Sequence, residues 1–177
     1  MKMCKITFLV WFILIFTNAV FSQNKINCIE KEQKVVGNED PVIIKICTFK
    51  NYKSIKTGEA DYKGRYSYSY KLFKMVNGKH LPISNAQLFN DKKGQLLSII
   101  NTKIEAFYND ISKSPENADC LPDLEYIMPY SFEKLNISFD NEVIEFSYSF
   151  DLSSACMSLD GDIISFKIAE IEPYLAK

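Results

Sequence analysis

A chain of 177 residues with 47% hydrophobic content can bury the core of one domain, and 21 basic against 22 acidic residues leave no polyelectrolyte surface. Phosphate binding needs a clustered basic face, which a pI of about 5.9 and scattered lysines do not offer. Nucleic acid is therefore excluded as an expected partner.

Taken in chain order, the first 22 residues read as a signal peptide. Lys2 and Lys5 form a positive n-region, Ile6 to Phe16 is an almost unbroken apolar run, and Val20-Phe21-Ser22 places small residues where a signal peptidase reads. Cleavage is expected before Gln23, giving an exported chain, periplasmic or secreted, with a charge near −3 once the two lysines are gone. The apolar run is short for a full span, so no stable membrane insertion is expected after cleavage.

The mature region, 23–177, keeps four cysteines: Cys28, Cys47, Cys120 and Cys156. An even number in an exported chain implies two disulfides, with three pairings open. The strand-like segments Ile26–Val36 and Val42–Phe49 flank Gly37-Asn38, a turn dipeptide, and a hairpin centred there sets Cys28 opposite Cys47. Cys120 and Cys156 then pair by elimination. These spacings are far from the paired C-x-x-C of a zinc site, and neither a metal nor another cofactor is expected.

The polar run from Asn51 to Gly64 reads as an exposed loop. Tyr66, Tyr68 and Tyr70 then alternate with Ser67 and Ser69, which suits either the core face of a strand or a row of rings for stacking a sugar. Asn77-Gly78-Lys79 marks a turn, with His80, the single histidine, beside it as an exposed bystander. From about Lys92 to Ser112, Leu96, Ile100, Ile104, Phe107 and Ile111 recur at helical spacing, with Asn90 or Asp91 as the N-cap and Ser114-Pro115 as the stop. A long irregular connection carrying Cys120, Pro122 and Pro129 follows.

Two further runs alternate with period two: Leu135, Ile137 and Phe139, then Ile144, Phe146, Tyr148 and Phe150. A two-residue loop at Asp140-Asn141 would set Ile137 opposite Ile144 and Leu135 opposite Phe146. A crossover from Asp151 to Met157, a turn at Asp160-Gly161-Asp162, a strand through Ile164, Phe166 and Ile168, and a terminal turn complete the chain. The expected fold is α+β: an antiparallel sheet packed by one long amphipathic helix and a short C-terminal helix.

Chemistry is sparse. Glu142 with Glu145, Asp160 with Asp162, and Glu170 with Glu172 can each be named as a carboxylate pair, yet turns and solvent-facing strand positions explain them equally well. No catalytic residue is assigned. Contact residues are expected on the irregular segments: Tyr126 and Tyr130 on the connection, and Ser153, Ser154 and Met157 on the crossover stapled beside it by Cys156.

Leu88-Phe89 leading to the helix with Ile100-Asn101 and Ile104, then Asn136-Ile137-Ser138-Phe139, the strand Ile144 to Phe150, and Ile164-Ser165-Phe166 to Pro173-Tyr174-Leu175, together resemble the RsiV C-terminal-like domain family. Members of that family occur in an anti-sigma factor and ahead of the catalytic domain of a peptidoglycan deacetylase. The likeness covers roughly residues 88–175. It departs at Ser149-Phe150-Asp151, where the family has a Pro-Tyr-like pair, and Cys156 is an addition. The resemblance implies a mixed fold with an antiparallel sheet and an extracytoplasmic, non-catalytic binding role toward a protein such as lysozyme or toward peptidoglycan. The other readings the residues allow are an envelope glycan-active enzyme working through a carboxylate pair, and a disulfide-stabilised structural accessory protein.

Overall fold

In a computed structural model of the chain, which describes residues 25–34, 40–61 and 64–176, the alternating runs assemble into two antiparallel sheets. The expected leader, 1–22, and the Gly37-Asn38 turn lie outside the described residues. Strands β1 (Asn27–Gln33), β2 (Val42–Phe49), β3 (Tyr52–Ala60), β4 (Tyr66–Val76) and β5 (Lys79–Ile83) form a five-stranded sheet in sequence order. Strands β6 (Asn136–Asp140), β7 (Val143–Tyr148) and β8 (Asp162–Lys167) form a three-stranded one. Between the sheets in sequence runs α1 (Lys93–Ile111), with the short α2 (Leu124–Ile127) in the connection and α3 (Ile168–Ile171) near the end. The fold is α+β, as expected.

Cys28 faces Cys47 in the β1–β2 ladder and is bonded to it; Cys120 is bonded to Cys156. Among the described residues no helix is long and apolar enough to cross a membrane.

The stretch expected as a loop is instead β3, a central strand paired on both sides. Its alternation is hidden because two of its buried members, Ser54 and Gly58, are not apolar, and because two lysines of the strand lay their ammonium groups over neighbouring rings: Lys53 over Phe73 at 4.9 Å and Lys56 over Tyr68 at 4.6 Å. His80 likewise sits on β5, opposite Met75, and is exposed.

The β6–β7 hairpin forms with its register moved: Ile137 faces Phe146 and Phe139 faces Ile144, around a turn at Asn141-Glu142. Asn141 takes the positive φ, +47°, that such a turn requires. A shift by one pair keeps every side chain on its expected face, so hydrophobic alternation alone could not separate the two registers.

One contiguous core joins Leu96, Ile100 and Ile104 of α1 to the apolar face of the small sheet and to Cys47, Phe49, Tyr52 and Leu72 of the large one. The α1 N-cap position is Lys92 rather than Asn90 or Asp91, because Asn90 works one step earlier. Its Oδ1 accepts from the Lys92 amide at 2.8 Å, while its Nδ2 donates to the carbonyls of Pro173 and Leu175, lacing the helix entry to the C-terminal segment.

The small sheet meets the large one through β6, its edge strand. The buried Phe139 amide, which has no strand to pair with on that side, donates to Ser54 Oγ at 3.1 Å. Lys45 pairs with Asp140 at 2.6 Å at the margin of this junction. Coverage is partial. Ser54 and Leu72 lie beneath the small sheet, whereas the same face of β3 and β4 runs on through Lys56 and Tyr70, Gly58 and Tyr68, Ala60 and Tyr66.

Candidate functional site

The Cys120–Cys156 bond, with its Cα atoms 5.6 Å apart, ties the connection after α1 to the crossover after β7. This brings the two expected contact segments together at their stapled ends. Tyr126, on α2, is 79% exposed and Met157 is 53% exposed; Ser153 and Ser154 are also open to solvent. Met157 Sδ lies 4.0 Å from Arg65 Nη1, so the crossover touches the segment that enters β4.

Tyr130 does not belong to that surface. It is 5% exposed, its amide donates to Asn101 Oδ1 at 2.7 Å, its hydroxyl donates to the Ser149 carbonyl, and its ring meets Tyr148 edge-on. Burial, aided by the Asp151 and Asp160 carboxylates, pushes its phenol up to about 12. The aromatic anchor expected in the loop is a core residue, because the chain turns inward after Pro129 to follow Asn101.

A cleft of about 670 Å³ opens between α1 and the connection, lined by Asn101, Thr102, Glu105, Asp123, Glu125, Met128 and their neighbours. The Asn101 amide is already committed, donating to the carbonyls of Leu97 and Tyr130.

Most of the named carboxylates are engaged in structural contacts. Asp160 accepts from Ser149 Oγ at 2.8 Å and from the Phe150 amide at 2.7 Å, with the Leu152 amide at 3.4 Å, so it fixes the path of the crossover. Asp162 accepts from its neighbour Ile163, Glu170 accepts from the Lys167 amide, Glu172 pairs with Lys50, and Glu145 accepts from Ser138 Oγ. Replacing Asp160 and Asp162 together would therefore disturb structure as well as any turnover, and cannot separate an enzyme from a binding domain.

The tyrosine row of β4 turns out to be a surface feature. Tyr68 is 48% exposed and Tyr66 and Tyr70 are partly exposed, because the small sheet stops short of them. The Tyr66 and Tyr68 rings lie 6.3 Å apart with 24° between their planes. Both rest over Gly58: a Cβ at that position would fall 2.7 Å from Tyr68 Cε1 and 3.2 Å from Tyr66 Cδ1. The Tyr66 hydroxyl donates to the Pro41 carbonyl, and Lys56 Nζ stands 4.6 Å and 5.6 Å from the centres of Tyr68 and Tyr70. Desolvation first, then the Asp40 and Glu32 carboxylates, push the Tyr66 phenol up. Gly58 and Lys56 were missed with the strand that carries them; a glycine in strand context, marking close approach of another group, was the available signal.

A scan against protein-family models, a search of curated proteins and a search of solved structures each found no match to this chain.

Proposed function

We propose that the mature chain is an exported, non-catalytic binding domain of the bacterial cell envelope, recognising a protein of the lysozyme type or a cell-wall ligand. The observation that carries this reading is the Cys120–Cys156 staple, which holds two irregular segments side by side while Tyr126 and Met157 stand out into solvent. Large apolar side chains on segments already restrained lose little entropy on binding, which is how contact residues acquire affinity. Export is supported by the two disulfides and by the expected leader. The resemblance to the RsiV C-terminal-like family agrees, since the stapled segments fall inside its span.

Calorimetric titration of the oxidised chain from Gln23 with c-type lysozyme and with solubilised peptidoglycan tests the proposal. Saturable binding of either, weakened by Tyr126→Ala or Met157→Ala, is the expected result. Absence of binding to both removes it.

A further inference from the structure

The exposed tyrosines of β4 lie outside the span of the family resemblance, and they form a surface with its own chemistry. The Tyr66 and Tyr68 rings are near-parallel and rest at a glycine, and Tyr68 is half exposed. Such flat, amphipathic rings are poor partners for an irregular apolar side chain. They suit the C–H face of a pyranose, whose hydroxyls stay directed outward to polar neighbours.

The rim supplies those neighbours in both signs. Lys56 lays its ammonium over the Tyr68 and Tyr70 rings, where it can serve as a donor, and no carboxylate among the described residues lies within ion-pair distance of it. Its cross-strand neighbour Lys45 is neutralised by Asp140. On the other side, Glu32 occupies the same cross-strand row as Ile43, Gly58 and Tyr68, and exposed Asp40 lies near Gly64, close to the Tyr66 end. A polyanion approaching the shelf meets Glu32 and Asp40, and a polycation meets Lys56. A neutral ligand rich in hydroxyls uses the ammonium as donor and the carboxylates as acceptors and is opposed by neither.

We infer that the shelf of Tyr66 and Tyr68 over Gly58, with Tyr70 and Lys56 at its side, is a binding site for a neutral oligosaccharide. This deepens the cell-wall arm of the proposed function and rests on export, but not on the Tyr126 and Met157 surface.

Titration of the oxidised chain from Gln23 with N-acetylchitotetraose and with cellotetraose is expected to show saturable binding to at least one. Tyr68→Ala weakens it by about tenfold or more. Gly58→Val, which keeps the Tyr66 and Tyr68 rings but lifts them from the sheet, weakens it as well. Tyr68→Ala removes an exposed side chain, so its thermal melt should match that of the parent; if Gly58→Val melts early, Tyr68→Ala alone decides. Failure of both oligosaccharides to bind, unchanged binding in Tyr68→Ala, or stronger binding of polygalacturonate or chitosan oligomers overturns the inference. Lysozyme binding in a chain that ignores these oligosaccharides sinks the shelf and leaves the binding-domain reading standing.

Discussion

Two strands of this molecule carry the same pattern and meet opposite fates. In β7 and the residue pair beyond it, Ile144, Phe146, Tyr148 and Phe150 alternate with polar residues and all four are buried. In β4, Tyr66, Tyr68, Tyr70 and Leu72 alternate in the same way, yet only Leu72 is buried. What differs is the neighbouring layer. α1 shares one core with the face of β7, whereas the small sheet meets the large one through β6 and ends at the level of Ser54 and Leu72. Alternation reports that a strand has two faces; how far a face is covered depends on the length of what packs against it.

The largest expected consequence is in the response to truncation. Phe146 has no exposed surface, stacks on Phe89 and meets Phe166 edge-on, so Phe146→Ala should cost about 3–5 kcal/mol in urea unfolding. Tyr68→Ala, on the same kind of alternating strand, should stay within about 0.5 kcal/mol. Comparable losses for the two would mean that the shelf is covered in solution.

Next in size is the staple. The Cys120–Cys156 bond joins cysteines 36 positions apart, and replacing both by serine should remove about 2–4 kcal/mol through the freedom returned to the unfolded chain. The same variant should weaken binding at Tyr126 and Met157 while leaving oligosaccharide binding at the tyrosine shelf in place, a contrast that titration reads directly. Loss of both activities in a folded variant would show the two surfaces to be one.

Asp160→Ala comes third. It strips the Ser149 hydroxyl and the Phe150 amide of their common acceptor, and should cost about 1–3 kcal/mol, with faster hydrogen exchange confined to the crossover and the end of β7. Unchanged exchange there would show that the carboxylate is dispensable to the crossover.

Most of the small sheet and α1 was legible in the sequence because each buried position is filled by an aliphatic or aromatic residue at the right period: Leu96, Ile100 and Ile104 for the helix, Ile144 and Phe146 for the strand. β3 was not, since Ser54 is buried to serve one backbone amide and Gly58 is buried beneath two rings, and neither reason is hydrophobic. The candidate contacts divided similarly. Tyr126, Ser153, Ser154 and Met157 are at the surface, but Tyr130 is held inside by Asn101, a polar residue on a helix whose partner lies 29 positions away. Long-range hydrogen bonds leave no periodic trace.

The smallest effect concerns the buried tyrosines at the end of β7. Burial raises the phenol of Tyr130 to about 12 and that of Tyr148 further, with Asp162 adding to the latter. The unfolded chain releases these protons near pH 10 while the folded chain keeps them, so between those values the folded state binds more protons and stability falls as pH rises. The contribution is whole below pH 10 and lost as pH climbs through about 12, at a limiting slope of about 1.4 kcal/mol per pH unit for each such tyrosine. Urea midpoints measured from pH 9 to 11.5 should decline accordingly, and Tyr130→Phe should flatten the decline, because a phenylalanine has no proton to lose. Since that variant also removes the hydroxyl that donates to the Ser149 carbonyl, its midpoint at pH 8 should already be lower. A parallel decline in parent and variant would place the alkaline sensitivity elsewhere in the molecule.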